Sequence, residues 1–296
     1  MPQETALVTG CSDGGIGAAL ATEFQARGLR VFATARDLSK MSGLAALGIE
    51  TLALDVTSEA SISQAVATVR EKLRTTTATT GKEEQGRLDF LINNAGVQHV
   101  KPLSDTSMSE LRHVIDTNVV GPLAVTQAFV PLLMTSDPDL AATDAGKSTV
   151  AMLGSVNDVY SPPFQVAYNA SKAAVHSAAR TLRVELAPLG IRCVTLMTGA
   201  VRTKLFENCA SKVPEGSLYA AVADGIDGRE FLKGAQWVDA DEFAKQVVDD
   251  LLKTRPKLDI WRGGMARLSS WLACLGWEGM LDSAIFKANH LDKVGR

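Results

Sequence analysis

Tyr168 and Lys172, four residues apart in Tyr168-Asn169-Ala170-Ser171-Lys172, are side chains of the kind that move and tune a proton. On a helix they share one face. A free phenol has a pKa of about 10 and is a poor acid or base at neutral pH unless a nearby positive charge favours the phenolate. Lys172 is placed to be that charge. An ordinary amphipathic helix surface shows the same spacing, so the pair takes its meaning from the elements that position it.

Short β-branched or apolar runs recur at residues 6–9, 30–34, 49–54, 88–92, 148–153, 192–197 and 257–261. Between them, 16–27, 62–74, 108–134, 165–187 and 241–253 carry apolar residues at three- and four-residue spacing. Seven strands alternating with helices predict an α/β fold: a doubly wound, Rossmann-type parallel sheet of seven strands with helices on both faces. The expected order is 3-2-1-4-5-6-7, in one domain over residues 1–296. Residues 75–85 and 136–147 read as exposed loops. A lid is expected over about residues 203–235, beyond a strand's C-terminal end, where such sheets bind ligands. A Trp-rich extension follows at about 255–296, with Trp261, Trp271 and Trp277 near the apolar run Leu272-Ala273-Cys274-Leu275.

The chain has 296 residues, 46% hydrophobic and 21% charged, the profile of a globular protein with a sizeable core. A net charge of -3 gives no footprint for nucleic acid. The N-terminus runs straight into an apolar strand, which is not how a signal peptide begins, and no apolar stretch reaches membrane-spanning length. Cys11, Cys193, Cys209 and Cys274 are scattered without metal-ligand spacing, which suits a reducing, cytoplasmic setting with no bound metal. For the Trp-rich tail the plain expectation is packing over the domain or a subunit contact. The sharper ones are a peripheral contact with a membrane or lipid droplet, or a roof over an apolar substrate.

The first strand ends in Thr9-Gly10-Cys11-Ser12-Asp13-Gly14-Gly15-Ile16-Gly17 and a helix follows at once. Main-chain N–H groups and a helix N-terminus there can approach a phosphate, as in a dinucleotide-binding crossover. The same residues fit G-x-S-x-G, a nucleophile elbow, but an elbow at Ser12 leaves no earlier strand or loop to supply a second oxyanion donor. The second strand ends in a small residue followed by Arg36, which leaves room and charge for the 2′-phosphate of NADP rather than an acid for the ribose of NAD; Asp37 is adjacent and works against this. Asp55, with Val56 beside it, is placed to accept from an adenine amino group or to cap the next helix. Asn94, Ala95 and Gly96 form a small turn that lets the cofactor ribose approach.

Taken in order, the Gly-rich turn, Asn93-Asn94-Ala95-Gly96, a Ser thirteen residues before a Tyr, and Y-x-x-x-K resemble the classical short-chain dehydrogenases/reductases, over nearly the whole chain. Within that family the chain is most similar to the fungal branch of 1-acyldihydroxyacetone-phosphate reductase-like proteins, on Gly-Cys-Ser-Asp-Gly-Gly-Ile-Gly, Asp227-Gly228-Arg229-Glu230 and Asp259-Ile260-Trp261-Arg262-Gly263. The resemblance implies a tetrad. Ser155 binds the substrate oxygen, Tyr168 delivers the proton, Lys172 lowers the Tyr168 pKa and holds the nicotinamide ribose, and Asn118 binds a water leading from Lys172 to solvent. It further implies NADP(H) held by Gly10, Ser12, Asp13, Gly15, Ile16, Arg36, Asp55, Val56, Asn94, Ala95, Gly96, Tyr168 and Lys172, with Val201 and Thr203 at the carboxamide.

Two departures stand out. The turn carries one residue more than the common family pattern, leaving open which amides face the pyrophosphate, and Thr198 stands where many members have Pro. The implied activity is reduction of a ketone or aldehyde, with an acyl-glycerone phosphate or other lipid ketone as substrate; a polyketide, terpenoid or other secondary-metabolite ketone is the alternative. Arg202, Lys204 and Lys212 suit a phosphate, while Leu205, Phe206, Leu218, Tyr219 and Phe231 suit a bulky hydrophobic carbonyl compound. A silent nucleotide-binding scaffold is the reading from another class. A homodimer or homotetramer through the helices bearing Asn118 and Tyr168 is the family expectation.

Overall fold

Residues Thr5–Thr9 (β1) are buried throughout, and alternate side chains enter different cores: Ala6 and Val8 join one cluster and Leu7 the other. A strand covered on both faces has to read as a continuous apolar run, as this one does. The computed structural model describes residues 3–78, 86–134, 147–205, 209 and 212–295. After β1 come α1 (Ile16–Ala26), β2 (Arg30–Ala35), α2 (Ser42–Ala46), β3 (Glu50–Ala53), α3 (Glu59–Ala78), β4 (Phe90–Asn93), α4 (Met108–Ile115), α5 (Gly121–Leu133) and β5 (Ser148–Leu153). The second half holds α6 (Asn157–Tyr160), α7 (Val166–Glu185), β6 (Ile191–Thr198), β7 (Val201–Arg202), α8 (Ala223–Asp227), β8 (Val238–Asp239), α9 (Ala240–Leu251), β9 (Asp259–Arg262), α10 (Ala266–Leu275) and α11 (Asp282–Ala288).

The main sheet runs β3-β2-β1-β4-β5-β6-β9 with every pairing parallel, so its seven strands follow the expected order 3-2-1-4-5-6-7. Strand order reverses between β1 and β4, which opens a crevice at their C-terminal ends. Phe24 of α1 and Phe243 of α9 pack on one face, and Val69 of α3, Phe129 of α5 and Val175 of α7 on the other. The pair β7–β8 forms a separate small parallel ladder that the sequence pattern does not announce.

Three expectations are adjusted. The helix expected over 108–134 is two helices joined by a wide π turn at Asp116–Val120, in which the Gly121 N–H reaches the Asp116 carbonyl. Pro122 explains the break in register, since it has no N–H to give the carbonyl four residues back, which is that of Asn118. Of the loop expected over 75–85, residues 75–78 continue α3 and 79–85 lie outside the described residues, as does 136–146 of the second loop. The Trp-rich extension begins with β9, which takes Trp261 into the main sheet, and is helical only beyond it: α10 buries Ala266 and Ser269, while Trp271 and Trp277 are 61% and 70% exposed. No helix among the described residues is long and apolar enough to cross a membrane.

His176 of α7 ties the site-bearing half together. Its Nδ1 lies 2.6 Å from Asp158 Oδ2 on α6, and its Nε2 lies 3.4 Å from Asp259 Oδ1 on β9. The Asp158 hydrogen bond, with Asp259 next, raises the imidazole pKa from 6.5 to about 9. A folded-state pKa above the unfolded one stabilises fully below the unfolded value and stops doing so as pH rises through the folded one. His176→Gln is therefore expected to cost about 1–2 kcal/mol at pH 6. Thermal melts from pH 6 to 10 should show parent and variant converging as pH passes about 9; a gap independent of pH would contradict the charge argument.

Candidate active site

The crevice is set by a clamp between the ends of β1 and β4. Asn94 Nδ2 donates to the Thr9 carbonyl at 2.7 Å and the Gly10 carbonyl at 3.1 Å, while Thr9 Oγ1 accepts from the amides of Asn94 and Ala95, each at 3.0 Å. Gly10 has φ +73°, and a Cβ there would sit 2.7 Å from Ala95 Cα. A Cβ on Gly17 would meet Asn94 Nδ2 and the Gly10 carbonyl at 2.5 Å. Only glycine lets the turn lie against β4 this way.

The turn's own hydrogen bonds settle which amides it spends internally. Cys11 N donates to the Thr34 carbonyl, Asp13 N to the Lys40 carbonyl and Gly15 N to the Ser12 carbonyl. The amides of Ser12, Gly14 and Ile16 have no partner among the described residues, and no side chain caps α1. These unspent donors and the positive end of α1 suit an anion such as a pyrophosphate. The Asp13 carboxylate takes the Gly43 amide at 3.2 Å and the Ser42 hydroxyl at 3.4 Å. The Ser12 hydroxyl has no hydrogen-bond partner among the described residues, so the nucleophile-elbow reading gains nothing.

A cleft of about 760 Å³ brings together Gly10, Ser12, Asp13, Gly15, Ile16, Arg36, Asp55, Val56, Asn94, Ala95, Gly96, Tyr168, Lys172 and Thr203. Exposed Arg36 and Lys40 both line it, and Arg36 makes no ion pair with any described residue. Asp37, the neighbour expected to offset Arg36, instead accepts from the Ser39 amide and hydroxyl at 2.9 and 2.7 Å. Asp55 Oδ1 accepts from the Thr57 amide and hydroxyl. Burial acts to raise its pKa, yet the Thr57 bonds and the charges of Arg36 and His113 hold it below the ordinary value. The cleft thus has anion-binding amides at one point, cations beyond the second strand and a low-pKa carboxylate beyond the third. That donor set fits a nicotinamide dinucleotide.

A second cavity, of about 780 Å³, adjoins the first and is mostly apolar. Ser155 and Val201 line this cavity, Lys172 lines the nucleotide cleft, and Tyr168 lines both. The phenol stands where the two spaces meet. The Asn157 amide donates to Ser155 Oγ at 3.1 Å, and Ser155 in turn hydrogen-bonds the Tyr168 hydroxyl.

The electrostatics depart from expectation. Burial pushes the Tyr168 pKa up to about 12, against which the Ser155 bond works in the lowering direction. Lys172 Nζ donates to the Leu153 carbonyl at 2.7 Å and lies 5.6 Å from the Tyr168 ring centroid. The expected lowering of the phenol by Lys172 is not found; burial instead brings Lys172 itself down to about 8. Asn118 is 1% exposed, and its side chain is fully engaged: Nδ2 donates to the Val97 carbonyl and Ser171 Oγ, and Oδ1 accepts from the Val97 amide. The side chain therefore braces the loop after β4 rather than standing free.

Several residues of the site escape sequence reasoning. Lys40 and His113 reach the nucleotide cleft, and Gln98, Asn157, Tyr160 and Gln165 line the second cavity. Lys40 was within reach, as a cation four residues past Arg36. The others depend on chain returns that local pattern does not encode. From the segment expected as a lid, Leu205, Glu230, Leu232 and Lys233 line the cavity, while Phe206 lies outside the described residues. The tail contributes Met265 before α10, and Leu281, Ala284, Ile285, Ala288 and Asn289 on and around α11.

Comparison with known proteins agrees with this geometry. The family model described as short chain dehydrogenase matches residues 4–214. The chain is 36% identical to a short-chain dehydrogenase/reductase of Pestalotiopsis microspora, over 99% of this chain and 96% of that protein. It is 32% identical to an NADPH-dependent 1-acyldihydroxyacetone phosphate reductase of Schizosaccharomyces pombe, over 94% of this chain and 88% of that one. Among solved structures, a short-chain dehydrogenase from Streptomyces avermitilis superposes with a TM-score of 0.73 at 28% identity, covering 99% of this chain and 97% of that one.

A lysine whose folded-state pKa is depressed costs stability wherever it must be charged. That cost is full below about pH 8 and fades as pH rises from there toward the unfolded value of 10.5. Lys172→Met should therefore be more stable than the parent at pH 7, by about 1–2 kcal/mol. Denaturant titrations at pH 7 and pH 9.5 check both parts; a variant less stable at pH 7 would show that the Leu153 bond outweighs burial of the charge.

Proposed function

The chain belongs to the short-chain dehydrogenase family, oxidoreductases that act on CH–OH groups with a nicotinamide dinucleotide, and on that premise we propose that it is an NADP(H)-dependent ketoreductase of a bulky, neutral ketone of the polyketide or terpenoid kind. One observation carries the substrate class. The cavity beside Tyr168 is largely apolar, and the one cation lining it among the described residues, Lys233, is already held by Glu230 at 2.5 Å. A phosphate headgroup would find no spare positive charge there. This favours a secondary-metabolite ketone over the acyl-glycerone phosphate that the branch resemblance suggested. Arg36 and Lys40 support the choice of NADP(H), because a 2′-phosphate gains from both.

When bound, the cofactor supplies or accepts the hydride. Ser155, with its oxygen accepting from Asn157, keeps its own proton for Tyr168, so that the Tyr168 proton is free for the substrate oxygen as negative charge develops there. Lys172, close to its titration point, takes part in returning that proton. The apolar wall excludes solvent from the reacting carbonyl. The lid over about 203–235 and the tail over about 255–296 act as substrate-selecting elements on this reading, supported by their share of the cavity wall. A homodimer or homotetramer through α5 and α7 is supported by exposed Val166 and Val184 on α7 and Val120 just before α5, and a peripheral membrane contact by exposed Trp271, Leu275 and Trp277.

NADPH oxidation assayed with a neutral polycyclic ketone and with an acyl-glycerone phosphate tests the substrate class; faster turnover of the phosphate would reverse it. Tyr168→Phe should lower kcat by about 100- to 10,000-fold while NADPH still binds. Near-normal turnover would remove Tyr168 from the role of proton donor. The ratio of kcat/KM for NADPH to that for NADH should exceed about ten and fall below it in Arg36→Ala. A ratio below one in the parent would sink the NADP(H) assignment.

A further inference from the structure

We propose that Lys204, on the chain that follows β7, is the counter-ion of the cofactor's pyrophosphate. The inference rests on the reading of the cleft as an NADP(H) site and deepens it. Sequence reasoning groups Lys204 with Arg202 and Lys212 as cations suited to a substrate phosphate. The structure separates them: Lys204 lines the nucleotide cleft and not the apolar cavity beside Tyr168, and Arg202 is committed to Asp239 at 2.9 Å.

The Gly-rich turn leaves a seat for this lysine. Gly14 has φ +80°, and a Cβ there would lie 3.3 Å from Lys204 Cε, 3.6 Å from Cδ and 3.7 Å from Nζ. The end of the lysine side chain therefore lies across bare backbone, where a larger residue would stand in its way. The unspent amides of Ser12, Gly14 and Ile16 belong to the same stretch. An anion taken by those amides and by the N-terminus of α1 has the Lys204 ammonium as its neighbour.

Nothing in the protein neutralises that ammonium. Lys204 is exposed and makes no hydrogen bond or ion pair among the described residues. The two carboxylates lining the cleft among those residues are engaged, Asp13 with the Gly43 amide and Asp55 with the Thr57 amide. The other lysines and arginine of the cleft serve elsewhere. Lys172 donates to the Leu153 carbonyl, while Arg36 and Lys40 follow β2, where the 2′-phosphate belongs. The cofactor's two phosphate positions thus meet two separate sets of charge. Thr203 and Leu205, on either side of Lys204, line both spaces, so the ion pair pins the stretch of chain between cofactor and substrate.

Calorimetric binding of NADPH and NADH to the whole protein, with 2′-AMP measured by competition against NADPH, tests this. Lys204→Met keeps the stem and removes the charge. It should weaken both coenzymes by the same factor, about five- to tenfold, and leave 2′-AMP, which has no pyrophosphate, within about twofold. Lys204→Arg should recover most of the loss, and added salt should cost the parent more NADH affinity than it costs Lys204→Met. Arg36→Ala should show the opposite pattern, weakening NADPH and 2′-AMP while sparing NADH. Unchanged coenzyme affinity in Lys204→Met, a loss confined to NADPH, or an equal loss of 2′-AMP would overturn the proposal. If the parent bound NADH more tightly than NADPH and Lys204→Met lost both alike, the Lys204 assignment would stand and the NADP(H) assignment would fall.

Discussion

Everything functional in this molecule hangs on the clamp between Thr9 and Asn94. Two adjacent parallel strands end at the same level, and their chains then leave in opposite directions, which would leave carbonyls and amides of both ends unpaired. A buried polar group without a partner costs about 1–3 kcal/mol. The threonine hydroxyl and the asparagine amide satisfy these groups across the gap. The result is a fixed opening, with the Gly-rich turn on one lip and the β4 loop on the other. Asn118 extends the same bracing one layer further by gripping both polar groups of Val97.

The second half of the chain adds the chemistry to that opening. Ser155 leaves the end of β5, Tyr168 and Lys172 rise from α7, and His176 locks α7 to α6 and β9. Tyr168 lines both spaces, together with Ile16, Gln98, Leu153, Thr203 and Leu205, and is the one residue of the expected tetrad that does so. Burial is the dominant electrostatic influence: it raises the phenol and lowers the ammonium, bringing their ranges apart by neutral forms rather than by mutual charge. The arrangement resembles a loaded acid more than a ready base.

The strands were legible because each is buried on two faces and so spells a continuous apolar run, and the order followed from alternation with helices. Tyr168, Lys172 and the Gly-rich turn were legible through spacing and place in the chain, and Ser155 only through the family resemblance. Roles were harder to read than positions. Asn94 and Asp13 sit where expected, yet their side chains fasten the turn itself, because the nearest unpaired backbone groups claim them first. Tyr160 gave no signal, since its partner Ser269 is 109 residues away and no periodicity links them. The part α11 takes in the cavity wall was hidden for the same reason: a short helix with a mixed face does not announce where it docks.

The wide turn at Asp116–Val120 has a consequence for how α4 and α5 carry their apolar faces. One residue in excess of α-helical register rotates everything after it by about 100°. On an uninterrupted helix Val114, Val125, Phe129 and Leu132 would share one stripe, within about 60° of one another; the extra residue turns the later three away, so that α4 packs on α7 and α5 on α3. In effect the segment carries a single-residue insertion whose angular offset is absorbed at Asn118. The apolar spacing thus runs on unbroken while the rod changes, midway, the neighbour it faces.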